Sequence, residues 1–273
     1  MVLLAAVAVR ALVLDEGYWI DEVISIETAR LGFSKLVQRV GFGDLHPPAY
    51  YVLLSMWTSL FGESEISCRF LSLLLSGLTL IVLYYWAGAR KGPWVALMAL
   101  LLLGLSTFHI HYSVEVRAYP LLAFLATSFL FLYQRIASGQ DRRRDWVLLT
   151  ASAALLVLTH YYAAILVLAV NVHFFTVARH PTRRTVRWCL SQGIALAGFG
   201  LWLPLLLVQY FPLPAGMFAP LQSENALAQA ALAFGPGPFH PSPTVPWLGP
   251  GLYGAAIVPT LVAPFPRRDK ADS

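Results

Sequence analysis

The sequence is poor in charge. Only 12% of its 273 residues are Asp, Glu, Lys or Arg, and 58% are hydrophobic, against about 25% and 45–50% in soluble globular domains. So few polar groups cannot cover the surface of a soluble helical domain, which excludes that class. The two cysteines, Cys68 and Cys189, supply neither a disulfide framework nor a metal-binding spacing. No fold that reads nucleic acid accompanies the net charge of +5, so nucleic acid is not expected as a partner. Its arginines cluster in short loops, where they report orientation in a bilayer. Acids are missing from the cores of the apolar runs, and no internal repeat is visible. Both absences weigh against a transporter.

What is present is a series of apolar runs of about twenty residues with a mean hydropathy of +0.65. Such runs satisfy their backbone groups inside lipid as helices, and the expected class is an all-α polytopic membrane protein. Residues 66–89, 93–112, 118–134 and 188–210 read as spans. Residues 146–178 are too long for one span and fit a tight hairpin turning at 159–162. Residues 49–61 form a shorter run opened by Pro47 and Pro48, which are tolerated in a first helical turn. Residues 2–14 would make a helix of about 20 Å, short of the ~30 Å hydrocarbon core. The expectation is a natural chain that begins upstream, truncated at both ends. Residues 211–250, rich in Pro and Gly around a modest helical stretch at 224–234, read as an external loop. A short apolar segment at 251–265 and a polar tail follow.

Arg142, Arg143 and Arg144, with Arg179, Arg183, Arg184 and Arg187, are expected on the cytoplasmic side. That places 159–162 and 109–117 outside. Counting back from Arg90 and Lys91 would put His46 inside if 49–61 spanned the membrane. A short or re-entrant 49–61, or a break within 84–112, would remove the conflict.

The polar stretch 15–48 interrupts these runs and is the first place to expect chemistry. Asp21 and Glu22 diverge by about 100° on a helix, so only one can face a given atom. Tyr18, Trp19, Ile20, Val23, Ile24 and Ile26 around them suggest a short amphipathic helix at the membrane interface. Asp21 is either a general base, helped by partial burial, or a solvated loop acid. Asp44 and His46 precede Pro47, which bars His46 from helical geometry. The histidine either donates to a phosphate or orients a carboxylate, or else the pair merely caps the next helix. In HIHYSVEVRAYP, which carries His109, His111, Tyr112, Glu115, Arg117 and Tyr119, Glu115 and Arg117 pair with each other or the arginine grips a phosphate. The histidine spacing there matches no helical zinc motif. Arg69 is a snorkelling anchor or a lipid-phosphate contact, and the His160 to Tyr162 turn is equally open.

In order, GYWIDEVIS, DLHPPAYYVLL, FGESEISCRFLS, HYSVEVRAYPLL and LTHYYAAILVL resemble the GT-C-type glycosyltransferases that use polyprenyl-phosphate-linked sugars. This is the protein O-mannosyltransferase-like group, glycosyltransferase family 39, with bacterial relatives that include the lipid A aminoarabinose transferases. The resemblance covers residues 10–210. It implies a GT-C-like transmembrane helix bundle, with residues 1–210 as core, 15–48 as catalytic external loop, 211–250 as a second external loop and 251–273 as the tail. It implies an inverting transfer from a polyprenyl-phosphate-linked sugar to a hydroxyl or amine of a protein, lipid or glycan. By the same resemblance Asp21 is the base with Glu22 beside it, and His46, Glu115, Arg117 and Tyr119 lie at the donor phosphate or substrate; Asp44 and Arg69 join them as candidate contacts from the residue reading alone. A divalent metal is left open, with Asp21, Asp44 and Glu115 as the residues that would hold it. A multi-pass location in the cell (inner) membrane, among its lipids, with the catalytic loop on the periplasmic or extracellular side, completes the expectation. The alternatives are a non-enzymatic or transporter-like membrane protein, or an inactive fragment of such a transferase.

Overall fold

The computed structural model describes residues 17–43, 46–176 and 182–210. Eleven helices and no strand lie among the described residues. In chain order they are α1 (Ile20–Arg30), α2 (Phe33–Gly43), α3 (Ala49–Phe61), α4 (Glu65–Lys91), α5 (Pro93–Gly104), α6 (Thr107–Tyr112), α7 (Tyr119–Ala137), α8 (Arg143–Thr159), α9 (Ala163–Thr176), α10 (Thr182–Gly200) and α11 (Leu203–Tyr210). All described residues belong to one compact unit except Ser106–Phe108, which fall in a second. Residues 2–14, Asp44, Arg179 and 211–273 lie outside the described residues.

The polar stretch is helical over most of its length. α1 and α2 occupy it, and α1 buries Glu22, Ser25, Ile26, Thr28 and Ala29. Trp19, Ile20, Val23 and Ile24 point outward. The apolar side chains of its first turns suit contact with lipid, while Glu27 and Arg30 near its other end are exposed and pair with each other.

α4 and α7 are long and apolar enough to cross a membrane. α4 packs between α5 and α7, α8 packs on α7, and α10 packs on α8. Small polar residues of α4, Ser72, Ser76 and Thr79, are buried, which permits close helix approach in an apolar surrounding. Leu75, Leu125, Phe129, Ile136, Leu149 and Leu156 carry the core onward. Near its far end Trp188 stacks on Phe174 with centroids 4.3 Å apart and donates its indole N–H to Asn171 Oδ1 at 2.9 Å.

The hairpin within 146–178 is present, with its turn after Thr159 and its second helix starting at Ala163. Two expected spans are broken. The run 93–112 divides at Leu105 and Ser106, next to Gly104, a poor helix former. The run 188–210 divides at Leu201 and Trp202. Pro204, in the first turn of α11, has no amide to continue the preceding helix and disfavours helical geometry just before it. The preceding helix also starts earlier, at Thr182, and takes Arg183, Arg184 and Arg187 into its first turns.

These helices give the bundle two ends. α7 leaves from Tyr119 and α8 returns to His160, whose rings lie 6.4 Å apart. At the other end of that pair Arg135 meets Asp145 at 3.1 Å and Asp141 meets Arg184 at 3.3 Å. α10 then runs back, and Trp202 donates to the Tyr161 hydroxyl at 2.9 Å. The arginine-rich turns thus gather at one end, and His46, Arg117 and His160 lie at the other. α3, 13 residues or about 20 Å long, starts beside His160 through His46. The chain is back at that same end by Arg69 and Ser72 in α4, which contact Glu22 and Glu115. α3 therefore does not carry the chain across the bundle, and this removes the counting conflict.

Candidate functional site

The site is built on one buried carboxylate. Glu22, 1% exposed, sits at the third position of α1 and its Oε2 accepts the Trp19 backbone N–H at 3.3 Å, the return half of a capping box. The same oxygen accepts from Arg69 Nη2 at 2.9 Å. Its Oε1 accepts from Arg69 Nε at 3.3 Å and from the Val116 backbone N–H at 2.9 Å. Arg69 also donates from Nη2 to the Gly17 carbonyl at 2.7 Å, pairs through Nη1 with Glu65 at 2.9 Å, and lies over the Tyr18 ring. Gly17 has φ +77°, a backbone conformation that favours glycine. One ion pair thus joins α1, α4 and the loop before α7. Every oxygen of Glu22 is occupied, as a stable buried pair requires.

One position earlier on α1, Asp21 faces another way. Its side chain is 39% exposed and its Oδ2 lies 3.8 Å from Arg117 Nη2. The Arg117 side chain is 11% exposed, and the Tyr51 and Tyr119 hydroxyls face it. The loop that carries Arg117 is pinned on both sides. Ser72 Oγ donates to the Glu115 carbonyl at 2.6 Å, Glu22 holds Val116, and the Arg117 N–H donates back to the Glu115 carbonyl at 2.8 Å. Arg117 can therefore present its fork to a ligand without the loop moving.

The Glu115 side chain is buried, and its Oε2 has no hydrogen-bond partner among the described residues. Burial pushes its carboxyl up to about 7, against the pull of Arg117. It therefore keeps its proton to a higher pH than an ordinary glutamate.

His46 and His160 close the other side of Arg117. Their rings meet edge to face with centroids 5.5 Å apart, and Tyr119 and Tyr162 lie against His160. Burial, then His46 and Arg117, lower the His160 pKa below the ordinary imidazole value, so it is held neutral as a hydrogen-bonding group.

Asp21, Glu115, Arg117, Tyr119, His46 and the Glu22–Arg69 pair are thus brought to one end of the bundle. Asp44 lies outside the described residues. Among the described residues no three His, Cys, Asp or Glu side chains group as metal ligands. Asp21 and Glu115 share their surroundings with a guanidinium that would repel a divalent cation, so these residues fit a metal poorly. The local sequence leaves His160 an undecided turn residue and gives no sign of Ser72. Nothing in a local window marks a serine in an apolar helix as a loop anchor.

Apolar helices that open at one end onto a charged, aromatic-lined cluster define a helical membrane protein with a polar site at the bundle's end. The family of dolichyl-phosphate-mannose-protein mannosyltransferases matches residues 45–207. That is more than half of the chain, and the chain belongs to this family, a GT-C-type group of membrane-integral glycosyltransferases with lipid-linked sugar donors. No curated protein and no solved structure matches it. The matched segment contains His46, Arg69, Glu115, Arg117, Tyr119 and His160 and begins after Asp21 and Glu22.

Proposed function

We propose that the chain transfers a sugar from a polyprenyl phosphate to an acceptor hydroxyl or amine, with inversion at the anomeric carbon and Asp21 as the base. The observation that carries this reading is the Asp21 carboxylate 3.8 Å from the Arg117 guanidinium. The two are far enough apart that the pair is loose, and close enough that a phosphate and an acceptor can part them.

Arg117 and His46 take the donor phosphate, with the Tyr119 hydroxyl beside them. As Arg117 turns to the phosphate, Asp21 is released to hydrogen-bond the acceptor. The acceptor oxygen or nitrogen attacks the anomeric carbon and its proton passes to Asp21. The bond from that carbon to the phosphate oxygen breaks, and polyprenyl phosphate leaves with an added negative charge that Arg117 stabilises. Glu22 and Arg69 touch neither partner. They hold α1 and the Glu115 to Arg117 loop at the spacing the reaction needs. The outer apolar faces of the helices provide the surface along which a prenyl chain lies.

The site is assigned to the periplasmic or extracellular face of the cell membrane in a multi-pass protein. Support comes from the arginines, which collect at the opposite end of α8 and α10 and suit the cytoplasmic side. The test is transfer of radiolabelled sugar from a polyprenyl phosphate in proteoliposomes. Asp21→Asn is expected to lower the rate by about 10²–10⁴ while leaving the melting temperature unchanged. Undiminished transfer would remove Asp21 from the mechanism.

A further inference from the structure

A second site lies at the other end of the bundle, about 25 Å from the His160 turn along α8. Between the first turns of α8 and the facing part of α10 is an open groove of about 310 Å³. Its rim carries one arginine from each helix, Arg143 and Arg187. Both are exposed.

The acids nearby are already committed. Asp141 pairs with Arg184 at 3.3 Å and accepts the Trp146 indole N–H at 2.8 Å. Asp145 pairs with Arg135 at 3.1 Å and accepts the Arg142 backbone N–H at 2.9 Å. Arg143 and Arg187 have no acidic partner among the described residues. Two guanidiniums from two helices over one groove repel each other until an anion lies between them.

Below this rim the groove is apolar. Val147, Leu190 and Ile194 are 68%, 61% and 64% exposed, and Trp146, which donates its indole N–H to Asp141, lines the groove with them. At the floor Thr150 and Ser191 hydroxyls hydrogen-bond at 2.7 Å. A soluble anion would use the rim and leave the walls bare. A molecule with a phosphate at one end and alkyl chains at the other uses both.

We propose that this groove binds one anionic phospholipid, its phosphate between Arg143 and Arg187 and its acyl chains along Trp146, Val147, Leu190 and Ile194. A zwitterionic lipid is disfavoured because its ammonium would sit beside two guanidiniums. The site is separate from the transferase reading and stands or falls apart from it.

The test is native mass spectrometry of the delipidated full chain in neutral detergent, titrated with phosphatidylglycerol or with phosphatidylcholine. Retained phosphatidylglycerol is expected in preference to phosphatidylcholine. Each of Arg143→Gln and Arg187→Gln is expected to weaken it roughly fivefold, and the double variant about 25-fold, from the usual contribution of one basic residue near an anionic headgroup. Arg144→Gln, on the same turn but outside the groove, is expected to leave binding unchanged. Equal retention of the two lipids, a double variant that binds like the parent, or an equal loss in Arg144→Gln would overturn the proposal. Competition by millimolar inorganic phosphate, with no dependence on Leu190→Ser, would show a soluble anion site instead and would also overturn it. Because the substituted side chains are exposed, folding is monitored by the melting temperature of each variant, which is expected to stay within a degree of the parent.

Discussion

Glu22→Gln separates a positioning role from a chemical one. The glutamine keeps the size of the side chain but offers a single acceptor oxygen where the carboxylate accepts from Arg69 twice, from Val116 and from Trp19. Its amide nitrogen would face a guanidinium or a backbone N–H, donor against donor. Breaking a buried ion pair by removing one partner costs about 3–5 kcal/mol. Arg69 keeps Glu65 and the Gly17 carbonyl, so the lower end, about 3 kcal/mol, is expected. For a chain of this size that corresponds to a fall of several degrees in melting temperature, read by intrinsic fluorescence in detergent. Transfer should fall with it, because the loop carrying Arg117 loses its tie to α1. The double substitution Glu22→Leu with Arg69→Met removes both charges together and should recover much of the melting temperature. It leaves the Val116 and Trp19 amides without an acceptor, about 1 kcal/mol each, so recovery is incomplete. A Glu22→Gln protein that melts with the parent yet transfers no sugar would refute this reasoning and return Glu22 to the reacting atoms.

Three further outcomes follow from the same geometry. Arg117→Lys keeps the charge but not the fork, and the loss of one or two charge-assisted bonds should lower kcat/KM for the polyprenyl-phosphate donor about 10–100-fold with little change in melting temperature. Glu115 has a folded-state pKa of about 7 against an ordinary value of 4.5; its protonated form favours the folded state, so its contribution to stability is full below about 4.5 and is lost as pH rises to about 7. Thermal melts across that interval should decline in the parent and flatten in Glu115→Gln. Trp188→Ala, which empties the place stacked on Phe174, should cost about 3–5 kcal/mol, visible as a large drop in melting temperature at the end of the bundle away from the site.

The parts of this fold that local reading reaches are those set by local physics. The apolar runs at 66–89 and 118–134, the Pro47–Pro48 helix start and the hairpin turn at 159–162 each declare themselves within a window of a few residues. The breaks after Gly104 and before Pro204 were less legible, because hydropathy stays high through both and an average over a span hides a single kink. The helices within 15–48 are half legible: aromatic and acidic residues around Asp21 suggest one, but nothing in a local window shows that Glu22 is buried while Glu27 and Arg30 stay exposed.

The site shows the same division. That Asp21 and Glu22 must point apart follows from helix geometry alone, and the structure turns one toward Arg117 and the other into a buried pair. Which acid goes which way depends on Arg69, 47 residues away, and on the Val116 amide, 94 residues away. Residue patterns left Arg69 between an interface anchor and a phosphate contact, since an arginine at the start of an apolar helix serves either purpose. In the structure it is buried against Tyr18 and bonds to Glu22, Glu65 and the Gly17 carbonyl.

Under the proposed reaction the adjacency of the two acids has a physical use. A carboxylate that removes a proton must stay accessible and loosely held, whereas one that fixes the site must be buried and saturated with donors. Placed on successive residues of one short helix, the second sets the depth and rotation of that helix, and the first inherits its position to within one peptide unit. Glu22 also holds the amide of the residue before Arg117, so the same carboxylate sets both sides of the gap between Asp21 and the guanidinium. A displacement of Glu22 would move Asp21 and Arg117 together and leave their separation less changed than their depth. Lengthening or shortening the carboxylate arm, as in Glu22→Asp, should therefore alter donor KM more than the proton-transfer step that kcat reads.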